Sequence, residues 1–150
     1  MKQSTKEQEN RMRLCLPALS VNEGVARAAV AAFCAQCNPT TTQLADIKCA
    51  VSEAVTNCIV HAYGAQGGEI KITLRVLPQG GVRISVRDFG CGIEDVRLAR
   101  EPLFTTDAQG ERSGMGFTVM ESFMDKLEVH SSKGRGCCVV MTKYIKNTET

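Results

Sequence analysis

The chain has 150 residues, 43% of them hydrophobic and 23% charged, with 18 Lys and Arg against 16 Asp and Glu for a net charge of +2. That length and balance suit one compact soluble domain with a core of its own. The charge is too mild to favour nucleic acid or a membrane as direct partner, no apolar run approaches the ~20 residues of a membrane span, and the polar opening MKQSTKEQEN excludes a signal peptide, which predicts a cytoplasmic protein.

Residues 1–10 and 146–150 are polar and predicted to be flexible, leaving 11–145 as a single domain. Met12, Leu14 and Leu16 alternate with Arg13 and Cys15, which predicts a strand over 11–19. Ser20 and Glu23 have the spacing of a capping box for a helix that runs to Cys37 and stops at Asn38-Pro39. Thr40 and Gln43 form a second box, opening a helix over about 41–61 with Leu44, Ile47, Val51, Val55 and Ile59 on its buried stripe. Tyr63 to Gly68 is a turn-rich break. Ile70, Ile72, Leu74 and Val76 then alternate with polar residues, as do Val82, Ile84 and Val86 beyond the Pro78–Gly81 turn, giving an antiparallel pair with one wet face. A short helix over 94–100, a patternless loop over 101–113, a helix over 115–124 and a hairpin of 126–132 with 137–144 complete the order. Mostly antiparallel strands with helices on one face predict an α/β sandwich.

Eight cysteines without an export signal read as reduced thiols. Cys34 and Cys37 form a CxxC, but inside a predicted helix, with no second pair and no nearby His. They read as small apolar residues on a packed face.

Three groups of residues carry candidate chemistry. Asp88 keeps the phase of Val82, Ile84 and Val86, so its carboxylate faces the core side, where it needs a donor. Taken alone, it reads first as a structural Asp bonding the amides of its own turn; an amino group such as that of adenine is the other reading. Gly90 and Gly92 follow, where backbone can approach a ligand closely. Glu53, Asn57 and His61 recur every four residues, on one helix face off the apolar stripe. A carboxylate and an amide so placed suit a proton acceptor and a Mg²⁺ ligand, or simply a solvated face. Gly114 and Gly116 open a helix, whose free amides suit phosphate, and Arg112 adds a charge for a terminal phosphate; a tight loop-to-helix join is the plain reading.

Together the groups supply base, metal and phosphate contacts for one ligand. Glu53-x-x-x-Asn57-x-x-x-His61-x-Tyr63, Asp88-x-Gly90-x-Gly92 and Gly114-x-Gly116 resemble the Bergerat-type ATP-binding fold of gyrase, a heat-shock chaperone, histidine kinases and MutL. Residues 52–57, 102–106 and 111–117 further resemble, almost letter for letter, the anti-sigma-F serine kinases of spore-forming bacteria.

The resemblance implies that Glu53 is the general base for a substrate serine, Asn57 holds Mg²⁺, Asp88 binds the adenine amine and Gly92 packs on the base. Residues 93–113 would form a lid containing Thr105 and Thr106, Arg112 would reach the γ-phosphate, and Gly114 and Gly116 would give amides. Arg27 would lie on the surface that meets a sigma-F-type sigma factor and its anti-anti-sigma antagonist, away from Glu53. A homodimer would form near the first strand, with Leu14 and Leu16 as candidate interface residues. One departure stands out: Cys137 replaces the family Thr after Gly136. A thiol is the weaker donor, which predicts lower nucleotide affinity or weaker lid coupling.

The implied function is an anti-sigma factor that phosphorylates its antagonist with ATP; the alternative is a nucleotide-sensing anti-sigma module without kinase activity. Glu53 separates them, since a pure binder needs no carboxylate there. A histidine kinase is disfavoured because the only histidines are His61 and His130, with no phosphoacceptor helix ahead of the domain. A chaperone or repair ATPase is disfavoured for want of its partner domains.

Overall fold

The computed structural model describes residues 9–63, 67–93, 95–101 and 116–146. Five strands form one sheet: β1 (Arg11–Pro17), β2 (Glu69–Val76), β3 (Val82–Asp88), β4 (Lys126–Ser131) and β5 (Cys137–Lys143). Their order is β1-β2-β3-β5-β4, and every neighbouring pair is antiparallel. Period-two alternation fixes which face is buried. Ile70, Ile72, Leu74, Val82, Ile84, Val86, Val139 and Met141 point into the core. Leu14 and Leu16 share that face and pack half-buried against the core. The opposite face exposes Arg13, Lys71 and Arg87. There Arg83 and Glu128, on the strands either side of β5, pair at 3.4 Å across it, over the buried Val140 and Thr142.

Helix α1 (Val21–Cys34) buries Ala26, Val30 and Cys34. The predicted Ser20 capping box does not form. Ser20 is already helical (φ −54°, ψ −36°) and its side chain makes no cap bond, whereas a capping side chain needs extended backbone. Glu23 pairs forward with Arg27 at 2.9 Å instead. A 3-10 turn (Ala35–Cys37) and left-handed Asn38 (φ 53°) end the helix, one turn earlier than predicted. Cys34 and Cys37 lie in the core, and the Cys37 thiol donates to the Gly81 carbonyl at 3.7 Å.

Helix α2 (Thr41–Asn57) has the predicted box. Thr40 Oγ1 accepts from the Gln43 amide at 3.1 Å, and Gln43 Oε1 accepts from the Thr40 amide at 2.9 Å. Its stripe buries Ile47, Val51 and Val55, with Ala50 and Ala54 beside them. The α-helix stops short of the predicted residue 61 and continues as a π-helical turn, Cys58–Tyr63. Just before the change, the Thr56 hydroxyl bonds back to the Ser52 carbonyl at 2.6 Å, a contact that bends helices. Short α3 (Val96–Ala99) is capped by Asp95, which accepts from the Leu98 amide at 3.0 Å. Helix α4 (Gly116–Phe123) packs on α2 and buries Met120. No helix among the described residues is long and apolar enough to cross a membrane.

Candidate functional site

Glu53 and Asn57 stand one turn apart on α2, both half-buried. Gly116 opens α4 directly against them. A methyl group on Gly116 would lie 3.3 Å from both Asn57 amide atoms and 3.5 Å from Glu53 Oε2. The fold thus gathers a carboxylate, an amide oxygen and the start of a helix, whose first amides have no partner within it. Among the described residues no three His, Cys, Asp or Glu side chains converge on one metal position. Asn57 fits Mg²⁺ only in the manner of an ion that keeps its waters and takes phosphate oxygens.

Asp88 ends β3 pointing inward, 5% exposed, as its phase predicts. Its Oδ1 accepts from the Gly90 amide at 3.0 Å and the Cys137 amide at 3.2 Å. The structural reading of Asp88 is therefore met by one oxygen. The carboxylate also takes the buried Cys58 thiol from the start of the π turn. Burial pushes the Asp88 carboxyl above its ordinary value, opposed by the two amides, the thiol and the charge of Arg87. Burial and the Asp88 charge push the Cys58 thiol up and hold Cys137 up at about 12, so both stay protonated. At Cys137 the peptide N–H meets Asp88, a contact any residue but Pro would make.

The turn after Asp88 needs its glycines. Gly92 has φ +74° and lies against the Ser132 carbonyl, and Gly136 has φ +85° against the Asp88 carbonyl, so neither position admits a side chain. Gly90 passes the Ala62 carbonyl too closely for a Cβ.

The structure sets Arg27 close to Glu53. The resemblance sets it apart from Glu53, but the fold does not. Helices α1 and α2 pack so that Arg27 Nη1 lies 3.5 Å from Ser52 Oγ, and Arg27, Ser52 and Glu53 line one open cleft of about 410 Å³. Lys48, Cys49 and Ala45 of α2 with Val119 and Phe123 of α4 complete its walls. Residues from three helices meet there through packing that helical periodicity does not encode.

Thr105, Thr106, Arg112 and Gly114, with most of the predicted lid, lie outside the described residues. Three residues emerge that sequence reasoning gave no role. Ser131 accepts from the Ile93 amide at 2.7 Å and donates to the Gly136 carbonyl at 2.8 Å, tying the segment after Gly92 to the last hairpin. Its signal was a polar residue in phase with Leu127 and Val129. Cys58 continues the Ala54 side of the stripe, and only folding sets it beneath Asp88. Tyr63 accepts from the Phe89 amide and donates to the Glu69 carbonyl, both at 2.6 Å.

Residues 16–143 match the model of the histidine kinase-like ATPase domain family. An anti-sigma F factor of Caldanaerobacter subterraneus is 55% identical over 93% of this chain and 96% of its own. Those of Clostridium perfringens and Bacillus cereus are 51% and 48% identical, over 90% and 93% of this chain and 96% and 95% of theirs. Among solved structures, the RsbU and RsbW domains of a Mycobacterium tuberculosis protein superpose with a TM-score of 0.64 at 20% identity, over 90% of this chain and 32% of that one. A blue-light activated histidine kinase of Erythrobacter litoralis gives 0.57 at 22% identity, over 74% of this chain and 33% of that one. At such identities the likeness is one of fold.

Proposed function

The chain belongs to the histidine kinase-like ATPase domain family and, within it, to the anti-sigma F factors; from that premise we propose that it binds a sigma-F-type sigma factor and phosphorylates a serine of its anti-anti-sigma antagonist with ATP. The observation that carries the kinase half is the contact of Gly116 with both Glu53 and Asn57. It sets the Glu53 carboxylate, the Asn57 amide and the first amides of α4 side by side, which supports reading them as proton acceptor, Mg²⁺ ligand and phosphate site for one ligand.

In this reading Asp88 takes the adenine amine, and Gly90 and Gly92 let the backbone approach the base. Asn57 holds Mg²⁺, which supplies charge neutralisation for the phosphates. Glu53 accepts the serine proton as the hydroxyl oxygen attacks the γ-phosphorus and ADP leaves. Arg112, Gly114 and Gly116 meet the phosphates, and Thr105 and Thr106 belong to the lid. The cleft shared by Arg27 and Glu53 lets one partner surface engage Arg27 while its serine sits beside the base. The working unit is residues 11–145, acting in the cytoplasm as a homodimer joined at the edge strand β1.

The test incubates the full chain with radiolabelled ATP, Mg²⁺ and anti-anti-sigma proteins of the same genome, with sigma-factor capture measured on the same preparation. Label on a serine of one of them is expected. Sigma capture without any transfer would reduce the proposal to a nucleotide-sensing binder.

A further inference from the structure

The turn that carries Asp88 is held from outside its own strand. Helix α2 widens into the π-helical turn Cys58–Tyr63, and such turns often mark functional sites. This one reaches the base turn at several points. The Cys91 amide donates to the Ala62 carbonyl at 3.3 Å, and the Cys91 thiol donates to the His61 carbonyl at 3.4 Å. Tyr63 makes the shortest contacts. Its hydroxyl donates to the Glu69 carbonyl at the start of β2, which leaves a lone pair for the Phe89 amide, each bond being 2.6 Å. Phe89 follows Asp88, so the peptide between them is fixed by that oxygen. The ring lies so close to Gly68 that a Cβ there would collide with it.

We propose that Tyr63 is a positioning residue for base recognition: by fixing the Asp88–Phe89 peptide, its hydroxyl holds the Asp88 carboxylate where the exocyclic amine of adenine meets it. The inference rests on the adenine role of Asp88. Oδ1 is held by the Gly90 and Cys137 amides. Those bonds fix one oxygen, and the peptide anchor fixes the end of the residue that the second oxygen turns about. Without the hydroxyl the Phe89 amide loses its partner, and the turn relaxes to find another. Because Tyr63 closes the segment that begins as the helix bearing Glu53 and Asn57, base recognition and phosphate chemistry are set on one continuous piece of backbone.

Affinities for ADP and IDP, which differ at the purine amine, test this on the full chain. Unaltered protein should prefer ADP, and Asp88→Asn should abolish the preference. Tyr63→Phe should lower the ADP-to-IDP preference roughly threefold to tenfold, the size of one neutral hydrogen bond, and leave IDP affinity in place. Gly68→Ala keeps the hydroxyl but displaces the ring, and should give the same selective loss; it also serves if Tyr63→Phe fails to fold. Equal losses for both nucleotides, or an unchanged preference in Tyr63→Phe and Gly68→Ala, would overturn the positioning role. An unchanged preference in Asp88→Asn would overturn the adenine reading beneath it.

Discussion

Asp88, proposed to bind adenine, is a side chain whose burial works against the fold. Its carboxylate is almost fully buried, and burial raises its pKa despite two amides, a thiol and Arg87. A folded value above the unfolded one means that the ionised form weakens folding. The stabilising contribution is fully present below the unfolded carboxylate range and is lost as pH rises through the folded value. Asp88→Asn keeps an oxygen for the Gly90 and Cys137 amides and removes the buried charge. At neutral pH the free variant should therefore withstand urea as well as the unaltered chain or better. The difference should shrink as pH falls into the acid range. Nucleotide tells the opposite story. At 100 times its dissociation constant, Mg·ADP should add about 2.7 kcal/mol to the unaltered chain and almost nothing to the variant, whose amide opposes a donor to the adenine amine. Calorimetric melting across pH, with and without ADP, checks both halves. Glu53 carries the other residue-scale expectation. Glu53→Gln preserves volume and removes the proton acceptor, so transfer should fall roughly 10²–10⁴-fold. Nucleotide affinity should hold because Asn57 and Asp88 are untouched. Sigma capture should persist although Glu53 shares a cleft with Arg27, since the ion-pair partner of Arg27 is Glu23. Transfer at the unaltered rate would remove Glu53 from the chemistry.

Two helix starts with the same sequence signature behave differently. Thr40 is extended (φ −64°, ψ 162°) and makes both bonds of its box, whereas Ser20 is helical and makes neither. Thr40→Ala should thus destabilise the fold by about 1 kcal/mol, and Ser20→Ala should stay within about 0.5 kcal/mol of the unaltered chain. Urea midpoints of the two variants measure this. A Ser20→Ala loss as large as that of Thr40→Ala would mean that the Ser20 cap forms in solution. The C-terminal end of α2 repeats the lesson. Its amphipathic pattern runs on, but the hydrogen-bond pattern changes at Cys58, and the π turn aims Cys58 at Asp88 and Tyr63 at Phe89.

Across the whole molecule the cysteines divide by burial. Cys15, Cys49 and Cys91 are exposed, Cys34, Cys37, Cys58 and Cys137 are buried, and Cys138 lies between. Burial holds Cys34 and Cys137 near a pKa of about 12, so the thiolate, the reactive form, is scarce there. A disulfide reagent at pH 8 should label the three exposed thiols at once and the four buried ones only as fast as the fold opens. Saturating nucleotide should slow Cys58 and Cys137 in particular, because they lie beneath Asp88. Mass spectrometry of each labelled site reads the order. Rapid labelling of Cys58 in the native chain would contradict the packing around Asp88.

What the sequence determined by itself was periodic or local. Alternation in 69–76 and 82–88 placed every inward residue of β2 and β3, Asp88 included, because a strand has only two faces. Four-residue steps put Glu53 and Asn57 on one helix face, and the Thr40–Gln43 box lies within a single turn. Tertiary structure decided whatever depends on which elements meet. It set Gly116 against Glu53 and Asn57, Cys58 beneath Asp88, Arg27 into the cleft of Glu53, and the Cys137 amide onto a carboxylate 49 positions earlier. Each of these juxtapositions follows from helix packing or strand order, and the β3–β5 pairing reflects a crossover that residue spacing along the chain does not carry.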